Sequence, residues 1–410
     1  MDLQRYICEE HAAEVAFLWT QRDRAVLDPS YDRADVATLD ERLETHLDGL
    51  RHAAEVGVEC ATGLLDEELG PGEAFVATLV AIEQGDVRAV AHALDVAGEE
   101  TITARGIVSA LGWAPWNAFE AILPGFLSKR CPPALQRLGL RACAIRRHRP
   151  PEAVLELALS SADPRLRADA IRTVGELKHQ TFMHHVHLGL DDPNETCRFW
   201  AAWSGTVLGG ARALESLWTY ALRGQQYAEL AAMTAGGRLD ARRVAGDLQA
   251  FGHVEGGSRA ACAAAAALGD PLLVPWLLEQ MQEAKTARRA GLAFSLMTGV
   301  NLGYEPFEGR APADISAGPT DDADDEDVAT DPDEDLPFPN VDAVRDWWKD
   351  ERDRFVVGNR YLNGNPLTDV AALESIVETG NQMARALAAL HLTLSQPRQV
   401  LPEVRSVAWR

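Results

Sequence analysis

The sequence predicts an all-α protein in which short helices stack as a solenoid, and three observations carry that prediction. First, a helical phrase returns every 31 residues: Pro133 is followed by Pro164, Gln136, Arg167 and Arg198 keep the interval, and so do Lys178 and Gly209. A period between roughly 20 and 50 residues marks units that cannot bury their own apolar face and must stack on neighbours. Second, apolar positions recur at helical spacing, and no stretch keeps the period-two alternation of a half-buried strand. Third, the apolar segments are short, and most are bounded by Gly, Pro or Asp, residues that start and stop helices.

In chain order, residues 1–30 read as a helix ending at Asp28-Pro29. A second helix, about Asp35 to Glu55, carries Leu39, Leu43, Leu47 and Leu50 as one apolar stripe. Short helical pieces follow at 72–84, 86–96, 101–112, 116–127, 134–147, 152–160, 165–178, 182–190, 195–208 and 214–222. Asp163-Pro164 and Asp192-Pro193 are helix starts, because Pro fits the first turn and the Asp side chain accepts from otherwise unpaired N–H groups. In 198–208, Phe199, Ala202, Trp203 and Val207 share one face and Trp200 an adjoining one, so Trp200 and Trp203 read as core. Beyond an acidic stretch, Val341–Phe355 reads as a helix, Arg360 to Pro366 as a turn with Asn363-Gly364-Asn365-Pro366 at its centre, and Thr368 to Leu394 as one long amphipathic helix. The expected division is 1–71 N-terminal helices, 72–310 repeats, 311–340 acidic insertion and 341–410 a helical cap over the open end of the stack.

Charge is unevenly placed in these 410 residues of net charge −23. Residues 321–335 hold ten acidic side chains and no basic one, a run expected to remain a solvated loop. Between Ala121 and Pro151 lie Lys129, Arg130, Arg137, Arg141, Arg146, Arg147 and Arg149 without an acidic residue, and Arg137 and Arg141 share a helix face. The clustering predicts that Arg137, Arg141, Arg146 and Arg147 form a positive surface facing either the acidic run or an acidic partner. The opening Met1-Asp2-Leu3-Gln4-Arg5 lacks a basic region with an apolar run, and no apolar stretch approaches the ~20 residues of a membrane span, which predicts a cytoplasmic chain without membrane association. Six scattered cysteines form no CxxC pair; Cys60, Cys143 and Cys262 sit beside alanines and read as small buried apolar residues.

Several strings carry a family resemblance. Asp163-Pro164-Arg165-Leu166-Arg167-Ala168 leading to Val174-Gly175-Glu176-Leu177, and Ala266-Ala267-Leu268-Gly269-Asp270-Pro271, resemble short HEAT-like repeats of the phycobilisome-lyase type over about residues 72–302. Ala110-Leu111-Gly112-Trp113, Cys197 to Trp203, Ala293 to Val300 and Asp331 to Pro337 resemble a bacterial HEAT-repeat family whose genes tend to accompany type VI secretion and PAAR effector genes. The resemblance implies an armadillo-type superhelix and a role near that machinery, and it brings no catalytic residues with it.

The residues point to binding and not to turnover. His179, His184, His185 and His187 include an i, i+3 pair, but no HExxH or acidic ligand pair accompanies them, so a polar helix surface is expected and no metal. Asp331, Asp333 and Asp335 alternate as in a calcium loop that lacks its sixth-position Gly and twelfth-position Glu. No phosphate loop, dinucleotide fingerprint or nucleophile elbow is present, and neither cofactor nor catalytic residue is expected. The expected function is a non-enzymatic scaffold or adaptor holding a protein partner, a secreted effector or spike component by the resemblance, through Arg137, Arg141, Arg146, Arg147, Trp347 and Trp348. The alternatives are a lyase-like enzyme and a nucleic-acid binder; a net charge of −23 disfavours the latter, since phosphate neutralisation supplies most of such affinity.

Overall fold

The computed structural model describes residues 3–97, 101–254, 256–312 and 333–407. Among them the chain is all-helical, with 21 α-helices packed in adjacent pairs and one two-residue hairpin, Tyr361–Leu362 with Asn365–Pro366. The helices gather into two compact units. One runs to Leu208 and includes the chain from Val400 onward; the other spans Gly209–Gln399.

The first unit opens with α1 (Leu3–Ala25), α2 (Arg33–His52) and α3 (Glu55–Glu67). Helix α2 is started by a reciprocal cap in which the Asp32 carboxylate accepts from the Ala34 and Asp35 amides and the Asp35 side chain accepts from the Asp32 amide. Leu43, Leu47 and Leu50 are fully buried, each stabilising by roughly 1.5–3 kcal/mol. Leu39 is only partly buried, because that turn of the helix gives its inward position to Asp40, which pairs with Arg22 of α1.

Nine short helices follow: α4 (Pro71–Gln84), α5 (Val87–Ala97), α6 (Thr101–Trp113), α7 (Trp116–Phe126), α8 (Pro133–Ile145), α9 (Glu152–Leu159), α10 (Pro164–Glu176), α11 (Met183–Gly189) and α12 (Glu195–Leu208). The even-numbered helices form a row, α4 on α6, α6 on α8, α8 on α10 and α10 on α12, with the odd-numbered ones set against them. The sequence period is visible in this row: α8, α10 and α12 begin at Pro133, Pro164 and Glu195, 31 residues apart. The cap expected at Asp163-Pro164 forms, with Asp163 accepting from the Arg165 amide at 2.7 Å and the Leu166 amide at 3.1 Å. The start expected at Asp192-Pro193 does not, because α12 begins at Glu195 with Asn194 accepting from the Cys197 amide at 3.2 Å, while Asp192 pairs with Arg167.

The second unit repeats the layering with α13 (Ala211–Leu222), α14 (Ala228–Gly236), α15 (Ala241–Phe251), α16 (Gly257–Leu268), α17 (Val274–Gln280) and α18 (Ala287–Thr298), in which α14 packs on α16 and α16 on α18. The buried alanines of α16 permit that close approach. Helices α14 and α15 have no counterpart in the sequence expectation; α14 is short and Ala-rich and gives little periodicity, whereas α15 is amphipathic, with Val244 and Phe251 buried on one face. The unit closes with α19 (Val341–Glu351), α20 (Val370–Thr379) and α21 (Gln382–Ser395).

Two expectations for this region need correction. The single helix expected over 368–394 is two helices, because Gly380 is extended (ψ 168°) and Asn381 starts α21 by accepting from the Ala384 amide at 2.8 Å. The helix expected to reach Phe355 ends at Glu351 and continues as one 3-10 turn. The hairpin turn is docked, not free: Arg360 donates to the Gly237 and Leu239 carbonyls past α14, Tyr361 is buried, and its amide donates to the Gly269 carbonyl at 2.8 Å. Gly269 and Gly299 end α16 and α18 at φ +65° and +81°, and a Cβ at either would meet the backbone of Tyr361 or Asn363.

Candidate functional site

Within the first unit, α1, α6, α8, α10 and the segment 400–407 enclose a cleft of about 570 Å³. Eight arginines and three tryptophans line it, against three carboxylates. Two further carboxylates, Asp40 and Glu176, stand behind the wall, bonded to Arg22 and to the Arg141–Arg172 pair. Glu44 likewise accepts from Trp113 of the lining, so guanidinia outnumber carboxylates eight to six in a chain whose overall charge is −23.

The row of even-numbered helices places these groups. Arg137 and Arg141 leave α8 one turn apart and reach across to α10: Arg137 donates to Asp169 at 2.7 Å, and Arg141 forms a two-pronged bond to Glu176 at 2.8 and 3.1 Å. Arg172 donates to the same Glu176 at 2.8 Å and lies over the Trp200 ring at 4.3 Å. Burial alone would raise the Glu176 carboxyl, but Arg141 and Arg172 outweigh it and hold it well below the usual carboxylate range. Burial, with Arg141 close by, pulls Arg172 down to about 10.

Arg146 and Arg147 follow α8. Arg146 donates to the Leu111 carbonyl at 2.8 Å and to the Ala114 carbonyl, so it ties the end of α6, and its guanidinium stands over Phe119 at 4.3 Å and beside Trp116 at 5.7 Å. Arg147 takes a left-handed backbone conformation, φ +53°. Its side chain reaches the Ala144 carbonyl at 2.5 Å and Glu403 at 3.3 Å, while its buried Nε has no hydrogen-bond partner. Burial lowers its pKa despite Glu403 and Glu176.

Segment 400–407 forms one wall without helix or strand of its own. The Leu401 amide donates to the Glu176 carbonyl at 3.1 Å, and Arg22 donates to the Arg405 carbonyl at 3.1 Å. Glu403 accepts two bonds from the Arg405 guanidinium, at 2.9 and 3.1 Å, and one from its backbone amide at 3.1 Å, besides the one from Arg147. Burial opposes the charge of Glu403, yet Arg405 and Arg147 bring it down to about 2. Val404 and Val407 are buried. The opposite lip carries Trp116, 47% exposed, and Arg105, which pairs with Asp23.

The structure thus brings Arg137, Arg141, Arg146 and Arg147 together in one cleft, but not as the open positive surface expected. They are largely engaged, by Asp169, Glu176, Glu403 and helix-end carbonyls. Residues 321–332 lie outside the described residues; the described part of the acidic run is held elsewhere, with Asp333 accepting from Arg259 and from Arg289 at 2.5 Å in the second unit. Trp347 and Trp348 are half-buried around Phe294 and Phe355, with ring centroids 5.8 Å (Trp347 to Phe294) and 5.5 Å (Trp348 to Phe355) apart. His179 departs from the expected polar surface: it is buried edge-on against Phe182 at 4.9 Å. Trp203 is core, while Trp200 is half-buried beneath Arg172.

Sequence reasoning did not single out Arg172, Trp116, Glu403 or Arg405. The repeat register would have found Arg172, which stands 31 residues after Arg141. No local signal marks Glu403, whose partner Arg147 is 256 residues away in the chain. No family model matches this chain, and no curated protein matches it.

Proposed function

We propose that the chain is a protein-binding scaffold and that the cleft of its first unit receives an acidic segment of the partner. The observation that carries this reading is the segment 400–407, a piece of polypeptide turning at 404–406 that is already seated there with its carboxylate between Arg147 and Arg405. Paired guanidinia recognise carboxylates bidentately, and Trp with Arg is the combination that most often anchors protein contacts. The polar groups lining the cleft are chiefly guanidinia and carboxylates already joined to one another, an arrangement suited to holding a ligand. The resemblance of the sequence to repeat proteins encoded beside type VI secretion genes supports an effector or spike component as the partner, met in the cytoplasm.

The test compares capture of host proteins by the unaltered chain and by a variant with Arg105→Ser, Arg137→Ser and Trp116→Ala, all at the cleft lip or wall. The expected result is an effector or spike protein retained by the first and lost by the second at a nearly unchanged melting temperature. Equal retention by both, or recovery of nucleic acid or a turned-over small molecule in place of a protein, overturns the reading.

A further inference from the structure

We infer that His11 of α1 and His46 of α2 form a proton-operated joint between the first two helices, closed while their facing nitrogens share one proton and opened when both rings are charged. The inference goes beyond the scaffold reading and stands without it.

The two Nδ1 atoms are 3.0 Å apart, with ring centroids at 5.2 Å and planes crossed at 69°. At that separation one nitrogen donates and the other accepts, which a pair carrying no charge or a single charge can do. Two imidazoliums would aim N–H at N–H and set two cations in contact, so the second charge breaks the joint. The fold seats the ring for this contact. The Cδ2–Nε2 edge of His11 lies on α2 one turn past His46, where a Cβ on Gly49 would come within 2.5 Å of Cδ2 and 2.6 Å of Nε2.

Both rings are half-buried. Burial first, then His11 and Arg42, outweigh Glu14 and hold the pKa of His46 below its usual 6.5. Helices α3 and α4 pack on the same two helices, yet among the described residues they bring no charge that acts on His46; their Glu59, Asp66 and Glu83 pair with Arg5, His92 and Arg51. The open joint takes up both protons near pH ~6.5, whereas the closed one resists the second. Closure is therefore complete above that pH and is lost as pH falls, with the opening constant rising about tenfold per pH unit. Opening frees α2 along the face it shares with α1, which also carries the Arg22–Asp40 pair behind the cleft wall.

Hydrogen exchange on the full chain between pH ~7.5 and ~5 reads the joint directly, with α10 of the same unit as the internal reference. Protection of the α2 amides should fall at least about tenfold more than that of α10. His11→Gln and His46→Gln each remove one of the two charges, and Gly49→Ala displaces the ring while keeping both histidines; each should abolish most of that difference. Histidine ring resonances of the unaltered chain need no variant: the pair should titrate in two steps more than about one pH unit apart. Protection of α2 that follows α10 across the range, a difference that survives in all three variants, or two rings that titrate independently near pH ~6.5 overturns the inference.

Discussion

Glu176→Gln is the perturbation that most directly tests how the cleft is held together. Glu176 is 4% exposed and accepts three bonds from two guanidinia, at 2.8, 3.1 and 2.8 Å. Glutamine is isosteric, but it removes the charge and turns one end into a donor facing arginine. Arg141 and Arg172 are then left as buried cations with Arg147 and Arg405 nearby and only Asp169 at hand. Removing one partner from a buried pair costs about 3–5 kcal/mol. At ~2–4 °C per kcal/mol for a unit of this size, the melting temperature should fall by roughly 6–20 °C. Near-ultraviolet circular dichroism on heating reads this. The folded carboxyl titrates below its unfolded value, so its contribution is complete above the unfolded pKa of 4.5 and disappears as pH falls toward the folded value. The unaltered chain and the variant should therefore converge in stability only in acid. Replacing all three charges at once, with Arg141→Met, Arg172→Met and Glu176→Leu, should recover most of the loss, because no cation is left stranded. A loss below about 1 kcal/mol for Glu176→Gln, or a triple variant less stable than the single, would refute the reasoning.

Two further outcomes follow from the second unit. Trp348→Ala removes a ring 5.5 Å from Phe355 and 6.1 Å from Phe294, and should cost roughly 2 kcal/mol of stability by urea titration; an unchanged midpoint with weakened partner binding would instead make Trp348 a contact residue. Burial, reinforced by Arg360, pushes the His391 pKa from 6.5 down to about 4. The unfolded chain therefore binds the proton first, so stability is full above pH ~6.5 and declines as pH falls, by about 2 kcal/mol between pH ~7 and ~5. His391→Gln should flatten that interval in urea titrations, and an unaltered pH dependence in the variant would show that other groups cause it.

The 31-residue period, the Asp163-Pro164 start and the Leu43–Leu47–Leu50 stripe were legible without coordinates, because each is local. A cap needs three or four residues, an amphipathic stripe a dozen, and a repeat only its own next copy. The same locality explains what failed: Gly380 and Asn381 interrupt a stripe whose apolar spacing runs on through the break, and Ala-rich α14 offers no contrast between faces. The four arginines were visible as a cluster in sequence, yet their state was not. Whether a guanidinium faces solvent or is clamped depends on what the next helix presents across the contact, and Asp169 and Glu176 are 32 and 35 residues beyond their partners. Glu403 lies farther still, brought to Arg147 by a return of the chain that no local pattern encodes. The residue sequence by itself determined the helices and their repeat, since those depend on neighbours in the chain. Only the tertiary structure decided which charges meet, because pairing in a buried cleft is settled by proximity in space between residues that carry no record of each other.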